Sequence, residues 1–245
     1  MTTPTAAPAG IVGVDLDVRE PRRFSLGVPT LDRAFGANSD GQAGIVLGST
    51  ILFAGDPGAG KTTTGVFLAE ALDDLGVLYA VSESTREQFS LMVRRLGRGV
   101  GLRLFFSASA DAIVDVAEES GARVLIVDQL HSLEPRRDAL RNFKTLDAWA
   151  KRAPLERTLV VIAERNKEGT VRGDFGVEYA GDVTIEICKP ALVDEGVVVT
   201  DGALRARTLR VTKNRHGDEG VYRLELGVRG WQELPAPAPA ADVSP

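Results

Sequence analysis

The chain has 245 residues, 44% of them hydrophobic, and its 29 Lys+Arg against 34 Asp+Glu give a formal net charge of −5. This size allows one large α/β domain or two small ones, and the acidic total excludes a globally basic nucleic-acid-binding surface. Its single cysteine, Cys188, excludes an intrachain disulfide and a zinc site built from cysteine pairs.

Both ends of the chain are poor in large apolar residues. Residues 1–10 consist mostly of Thr, Ala and Pro, and residues 234–245 read LPAPAPAADVSP. We therefore expect two disordered tails around one folded domain at residues 21–233. The N-terminus lacks the charged start and apolar stretch of a signal peptide, and no apolar run approaches the ~20 residues that span a bilayer. We expect a cytoplasmic protein without a membrane segment.

From residue 51 onward, short apolar runs alternate with segments of helical periodicity. The runs typical of buried strands are 51–54, 77–81, 102–106, 124–127 and 159–162. Apolar residues recur at helical spacing within 61–75, 85–96, 111–120 and 139–150. This alternation predicts an α/β fold with a mostly parallel central sheet that is flanked by helices.

After residue 180 the apolar periodicity changes to two. The alternating sets are Val183/Ile185/Ile187, Leu209/Val211 and Tyr222/Leu224/Leu226. Turn residues near 194–196 and 216–218 separate them. We predict that all three segments form an antiparallel C-terminal extension of the sheet.

The most informative segment matches the phosphate-binding pattern G-x-x-x-x-G-K-[ST]: Gly55, Asp56, Pro57, Gly58, Ala59, Gly60, Lys61, Thr62 and Thr63. Its glycines allow a tight turn that aims backbone amides at an anion, and the following helix adds the positive end of its dipole. Lys61 is predicted to reach the β- and γ-phosphates, and the Thr62 hydroxyl to hold Mg²⁺. A buried strand precedes the loop and a helix follows it, so we predict a nucleotide site.

Two carboxylates at strand ends are candidates for the chemistry. Asp128 ends an apolar strand, the position of an acid that holds Mg²⁺, although such an aspartate also caps loops in any α/β fold. Gln129 follows it, so a water-activating base beside Asp128 is missing. Glu83 lies just past another strand, at the edge where parallel sheets bind ligands. We predict that Glu83 polarises the attacking water, with a solvated loop glutamate as the alternative.

A basic cluster lies far along the chain, from Arg205 to Arg215, with five basic residues and no acidic one. Strict alternation places Lys213 and Arg215 on the same face as Leu209 and Val211, so an apolar face becomes cationic at the strand tip. Such a tip suits a phosphate, in the same subunit or in a neighbour. A charged edge strand that resists aggregation is an equal alternative.

These motifs together resemble the RecA-type ATPase core of the bacterial RadA/Sms family, within the RecA/DnaB/KaiC superfamily. Besides the P-loop, the matching blocks are Arg23-Phe-Ser-Leu-Gly27 with Leu31-Asp-Arg33, Tyr79-Ala-Val-Ser-Glu83, Lys167-Glu-Gly169 followed by Gly173 and Val177-Glu-Tyr179, and Lys213-Asn-Arg-His-Gly217. The similarity runs from about residue 22 to residue 231. The 245 residues contain no counterpart of the family's four-cysteine zinc ribbon or of its Lon-like protease domain.

The resemblance implies ATP and Mg²⁺ as ligands, and homo-oligomers in which ATP lies between subunits of a hexameric ring or a filament. It implies that Glu83 activates water, that Lys213 and Arg215 reach a neighbour's γ-phosphate, and that central loops grip single-stranded DNA. Two positions depart from the family pattern: Ser84 replaces a second glutamate, and His131 replaces a glutamine that follows the Mg²⁺-binding acid. His131 is a candidate phosphate sensor, and both changes lead us to expect slow hydrolysis.

Two segments are candidates for the DNA-contacting loops. The loop at 132–144 supplies Arg136, Arg137, Arg141 and Lys144, and the loop at 165–176 supplies Arg165, Lys167 and Arg172. Repeated around a ring, such loops would concentrate positive charge in a channel. Ordinary solvated loops are the alternative, because neither segment has a clear stacking aromatic residue.

The sequence thus predicts an oligomeric RecA-like ATPase that acts on single-stranded DNA in recombination or repair. A KaiC-like regulatory or scaffolding ATPase that binds protein partners is the main alternative, favoured by Ser84, His131 and the acidic total. A P-loop kinase is a third hypothesis without support, because no acceptor-binding lid is visible.

Overall fold

A computed structural model describes residues 20–99, 101–166, 176–189 and 205–234. The strands are β1 (Arg23–Phe24), β2 (Ile45–Val46), β3 (Thr50–Gly55), β4 (Val77–Val81), β5 (Leu104–Phe106), β6 (Val124–Asp128), β7 (Thr158–Glu164), β8 (Val183–Cys188), β9 (Ala206–Asn214), β10 (Gly220–Gly227) and β11 (Gly230–Glu233). The helices are α1 (Pro29–Ala34), α2 (Lys61–Ala71), α3 (Arg86–Leu96), α4 (Ala110–Glu119), α5 (Ala139–Lys151) and α6 (Gly176–Ala180). Apart from Glu20 and Leu234, the two predicted tails lie outside the described residues.

Within the described residues, nine strands form one sheet in the order β11-β10-β9-β8-β3-β7-β6-β4-β5. The six strands from β8 to β5 are parallel, and β9, β10 and β11 add to them in antiparallel fashion. The short strands β1 and β2 pair separately. The predicted α/β fold is confirmed, with its mostly parallel sheet and its antiparallel C-terminal extension.

The prediction that β8 belongs to the antiparallel extension is wrong. It pairs in parallel with β3, with Ile51 opposite Val183, and the antiparallel part begins only at β9. The physical reason is that period-two alternation reports a strand whose two faces differ in burial, and it carries no information on direction. Val183, Ile185 and Ile187 are buried in the core, whereas Glu186 is partly exposed.

Two other boundaries differ from the sequence prediction. The helix predicted over 61–75 ends at Ala71, and a 3₁₀ turn follows at Asp73–Leu75. The strand predicted over 102–106 begins at Leu104. The turn predicted near 216–218 does join β9 to β10, while the one predicted near 194–196 lies outside the described residues.

Apolar layers cover both faces of the sheet. On one face, α2 packs its buried side chains around Phe53, Tyr79 and Trp231. On the other face, α4 and α5 pack against the sheet, and Phe143 and Trp149 of α5 are buried there. This arrangement leaves the carboxyl ends of the parallel strands as the open edge where ligands bind. Within the described ranges, no helix has the length and apolar character that crossing a membrane requires.

Candidate nucleotide-binding site

The segment from Gly55 to Thr63 forms the turn between β3 and α2, as predicted. Gly58 and Gly60 have φ angles of +71° and +102°, a backbone conformation that residues with a Cβ atom rarely adopt. A Cβ atom at Gly60 would also lie 2.1 Å from Leu226 Cδ2. Lys61 Nζ donates to the carbonyl oxygens of Gly55 and Asp56, each at 2.9 Å. These two hydrogen bonds hold the Lys61 ammonium against the P-loop backbone.

A cleft of about 450 Å³ opens beside this loop. Its lining comes from the P-loop, from α3 and from three strand ends: Pro57, Gly58, Gly60, Lys61, Thr62, Thr63, Glu83, Met92, Arg95, Gln129 and Glu164. Burial lowers the pKa of Lys61, and the carboxylates of Glu164, Asp128, Glu83 and Asp56 oppose that effect. The cleft thus combines one buried cation with several acids, as a site for a magnesium-bound polyphosphate requires.

Asp128 lies buried at the end of β6 behind the P-loop. Burial raises its pKa to about 6, and hydrogen bonds from Tyr79 and Thr62 act in the opposite direction. The Tyr79 hydroxyl donates to Asp128 Oδ2 at 2.9 Å. Because Asp128 and Thr62 are in contact and supply hard oxygen donors, these two residues fit a Mg²⁺ ion.

Glu83 lies two residues beyond β4, on the opposite wall of the cleft, and its side chain is exposed. Ser82 Oγ accepts from the Gln129 amide nitrogen at 2.8 Å and donates to the Gln129 carbonyl at 2.6 Å, so the ends of β4 and β6 are tied together. The Gln129 side-chain amide in turn donates to the Glu83 carboxylate. From the sequence, Gln129 indicated only that no acid follows Asp128. In the structure it contacts Glu83, the predicted base, and so orients it.

Glu164 is a cleft residue that sequence reasoning missed. It ends β7, between the strands that carry the P-loop and Asp128. Its Oε2 atom lies 3.3 Å from Nε2 of His131, which lies in the 3₁₀ turn after β6. The signal in the sequence was its position two residues after the predicted strand 159–162, because proximity to a strand end is the criterion that selected Glu83 and Asp128.

The strand-tip cluster differs from its prediction in orientation. Strand β9 contains a register shift, so Ile185 pairs with Val211 while Thr184 pairs with Lys213. This irregularity moves Lys213 to the face opposite Leu209 and Val211, and the predicted shared face is wrong. Lys213 Nζ instead donates to the carbonyl oxygens of Tyr179, at 2.6 Å, and Gly181.

The position of Lys213 and Arg215 in the sheet decides whether they can reach a nucleotide in their own subunit. Because β9 is antiparallel to β8, Thr208 pairs with Cys188 at the end of β8 that lies near the P-loop. Lys213 pairs with Thr184, at the other end of β8. Five residues of strand separate Thr208 from Lys213, about 17 Å at ~3.3 Å per residue. Arg215, just past the strand, pairs with Asp182 at 3.1 Å. The same-subunit alternative is therefore excluded by geometry.

The predicted DNA-contacting residues are in different settings. Arg136 and Arg137 are exposed before α5, and Arg136 pairs with Glu134 at 3.1 Å. Arg141 and Lys144 are exposed on α5 itself, so the predicted loop at 132–144 is half helix. The side chain of Arg165 is only 19% exposed and pairs with Glu186 at 3.2 Å. The remaining two, Lys167 and Arg172, lie outside the described residues.

The fold and the cleft define the class that this chain resembles: it has a RecA-type fold with a P-loop between β3 and α2. Residues 48–167 match the AAA domain family. Among solved structures, a KaiC-like protein from Pyrococcus horikoshii aligns with a TM-score of 0.66 and 18% identity, covering 88% of this chain and all of that one. At that identity the likeness concerns the fold.

Among curated proteins, the chain resembles the ATPase core of the DNA repair protein RadA. RadA from Salmonella typhimurium is 28% identical over 241 residues, 91% of this chain and 49% of that protein. RadA from Mycobacterium tuberculosis is 30% identical over 229 residues, 87% of this chain and 44% of that protein. The chain thus spans about half the length of these relatives and resembles their RecA-like P-loop ATPase core.

Proposed function

We propose that the protein binds ATP with Mg²⁺ and hydrolyses it, and that it acts as a homo-oligomer on single-stranded DNA. One observation carries the ATPase assignment. Lys61, the contacting pair Thr62 and Asp128, and Glu83 line or adjoin one cleft and come from separate segments of the chain. These are the cation, the metal ligands and the base that in-line attack of water on a γ-phosphate requires.

Each residue has a defined part in the proposed reaction. The backbone amides from Gly58 to Thr63 and the Lys61 ammonium hold the phosphates. Thr62 and Asp128 would hold Mg²⁺, which would supply positive charge to offset the charge that develops on the phosphate oxygens. Glu83, oriented by Gln129, accepts a proton from the attacking water.

The proposed oligomer follows from the two edges of the sheet. Lys213 and Arg215 lie at the edge opposite the P-loop of their own subunit, so a head-to-tail neighbour is the partner whose γ-phosphate they would approach. They are held near Tyr179, Gly181 and Asp182, which fixes the cluster before assembly. The site is therefore proposed to be complete only between subunits.

Single-stranded DNA is the proposed substrate because the relatives named above are DNA repair proteins and because exposed cations lie on α5 and in the segment before it. Arg136, Arg137, Arg141 and Lys144 form this group. Repetition of such a group around an assembly supplies a positive path for a phosphate backbone.

The KaiC-like regulatory function is the second candidate. It is favoured by the net charge of −5 and by the ion pairs that occupy Arg165 and Arg136. In this alternative the ATP-dependent assembly would bind a protein, and exposed arginines would have no role in turnover.

The deciding experiment measures the ATP hydrolysis rate with and without single-stranded DNA at low salt, alongside the mass of the assembly. We expect stimulation in the native chain and its loss in the double variant Arg137→Ala/Arg141→Ala. The double variant Arg223→Ala/Arg229→Ala removes the same charge from exposed positions of the C-terminal hairpin and serves as control. Turnover that DNA never changes, together with intact ATP-dependent assembly, would favour the regulatory function instead.

A further inference from the structure

Three potential metal ligands converge at the end of the cleft beyond the P-loop. Glu83, His131 and Glu164 each offer one ligand atom, and these atoms all lie within 4.8 Å of one another. They meet because β7, β6 and β4 are adjacent in the sheet, and each of the three residues ends or follows one of these strands. Because residues 83, 131 and 164 are far apart in the sequence, no local motif predicts this cluster.

We propose that Glu83, His131 and Glu164 form a binding site for a divalent transition-metal ion such as Zn²⁺. An imidazole and two carboxylates are a mixed donor set that suits this class better than Mg²⁺, which prefers oxygen ligands alone. The His131 Nε2 to Glu164 Oε2 distance is 3.3 Å. When two ligand atoms each lie about 2.1 Å from one tetrahedral or octahedral ion, they are about 3.0–3.4 Å from each other. The distance between His131 Nε2 and Glu164 Oε2 therefore suits two ligands of one ion.

The surroundings of the three ligands support this site. The Gln129 side chain donates to the Glu83 carboxylate and so limits its rotation, as second-layer hydrogen bonds do around metal ligands. Glu83 is exposed whereas His131 and Glu164 are half-buried, so an ion has a path from solvent to the inner ligands. The site shares no residue with the pair formed by the P-loop residue Thr62 and the β6 residue Asp128, which has oxygen donors only.

The functional consequence rests on the proposed ATPase function. An ion at this site would occupy the carboxylate of Glu83, so that Glu83 could not accept a proton from water. The site would therefore make hydrolysis sensitive to transition metals while Mg²⁺ and the phosphates remain bound. This consequence concerns regulation of the same cleft, whereas binding of the ion can be measured without nucleotide.

The test uses the full chain without nucleotide, dialysed against chelator and titrated with ZnCl₂ in a calorimeter, with Mg²⁺ present in excess. We expect one Zn²⁺ per chain in the native protein, and a loss of affinity of at least about tenfold in His131→Gln and in Glu164→Gln. His216→Gln, which alters the other histidine, is the matched control and should bind like the native protein. Thermal melts establish that each variant is folded.

Two outcomes would overturn the proposal: no Zn²⁺ binding by the native chain, or binding that His131→Gln leaves unchanged. Because no ATP is present, either result leaves the ATPase assignment intact. Conversely, a chain that binds Zn²⁺ through these ligands but does not hydrolyse ATP would contradict the proposed function and retain the metal site.

Discussion

At the scale of single residues, Asp128 shows a conflict between folding and ligand binding. It is fully buried, and burial raises its pKa to about 6, above the value of 3.8 that applies in an unfolded chain. Tyr79 and Thr62 hydrogen-bond to it and reduce the cost without removing it. We propose that this buried carboxylate is retained because a bound cation would compensate its charge.

Replacement of this carboxylate should stabilise the empty protein at neutral pH. Because the folded-state pKa is raised, the carboxyl group favours folding below about pH 4, and this contribution is lost as the pH rises through about 6. Because the pKa is about 6 in the folded protein and 3.8 in the unfolded chain, the charged carboxylate lowers the free energy of unfolding by about 3 kcal/mol at pH 7. Asp128→Asn keeps an acceptor for Tyr79 and has no charge, so we expect a higher free energy of unfolding at pH 7, measured by urea denaturation without nucleotide or Mg²⁺.

The advantage of Asp128→Asn should shrink toward pH 4, where the native carboxyl group is protonated. Asp74→Asn, at an exposed position in the turn after α2, is the control and should change little. If the stability of the Asp128→Asn variant relative to the native chain is the same at both pH values, the assigned origin of the pKa shift is wrong.

Glu83 is the residue whose charge we expect the chemical step to need. Glu83→Gln should bind ATP with near-native affinity, because the P-loop and Lys61 are untouched, and should lose hydrolysis by about 10²-fold or more. Glu87→Gln, an exposed glutamate on the first turn of α3 that does not line the cleft, is the control. Equilibrium binding of a fluorescent ATP analogue and single-turnover hydrolysis separate the two effects. Unchanged turnover would refute the assignment of the base.

At the scale of elements, the close approach of α2 to the sheet positions the P-loop. A Cβ atom at Gly65 would lie 2.6 Å from the Tyr79 hydroxyl and 2.7 Å from Ile162 Cδ1. Tyr79 is the residue that contacts Asp128, so α2, the Tyr79 phenol and the Asp128 carboxylate pack against one another in series. Lys61 and Thr62 lie on the first turn of the same helix.

Gly65→Ala should therefore be costly although alanine favours helices. We expect a loss of about 1–3 kcal/mol in the free energy of unfolding, because the added methyl group must displace Tyr79 or Ile162 in a close-packed layer. Weaker ATP binding should accompany it. Gly227→Ala is the control, since its added Cβ would meet only Glu225 Oε1, at 3.9 Å. Chemical denaturation of both variants measures the difference, and equal stability of the two would contradict this packing argument.

At the scale of the whole molecule, the sheet separates the P-loop from the cluster of Lys213 and Arg215. The P-loop follows the carboxyl end of β3, and the cluster lies at the opposite edge because β9 runs antiparallel to β8. One subunit therefore presents phosphate-binding groups at one edge and cations at the other. A head-to-tail contact between copies is the arrangement that brings the two edges together.

Mixing two inactive variants tests this arrangement. Glu83→Gln lacks the base and Lys213→Ala lacks the cation, so each alone should hydrolyse ATP slowly. If Lys213 acts on a neighbour, random co-assembly should restore both groups at about a quarter of the interfaces, since each site takes one group from each subunit. ATP turnover of the mixture, compared with the two separate proteins, gives the answer. A mixture no more active than the mean of its parts would contradict action between subunits.

The sequence predicted eight of the nine strands in the large sheet, the P-loop, and Glu83 and Asp128 near strand ends, because burial, glycine placement and strand termini are local properties. It did not determine that β8 runs parallel, that a register shift turns Lys213 to the other face, or that Gln129 contacts Glu83. Nor did it bring Glu164 to His131. Strand direction, register and neighbourhood arise from pairing between distant segments, and alternation within a segment is the same for either pairing. Only the tertiary structure could therefore decide which residues share the cleft and at which edge of the sheet each one lies.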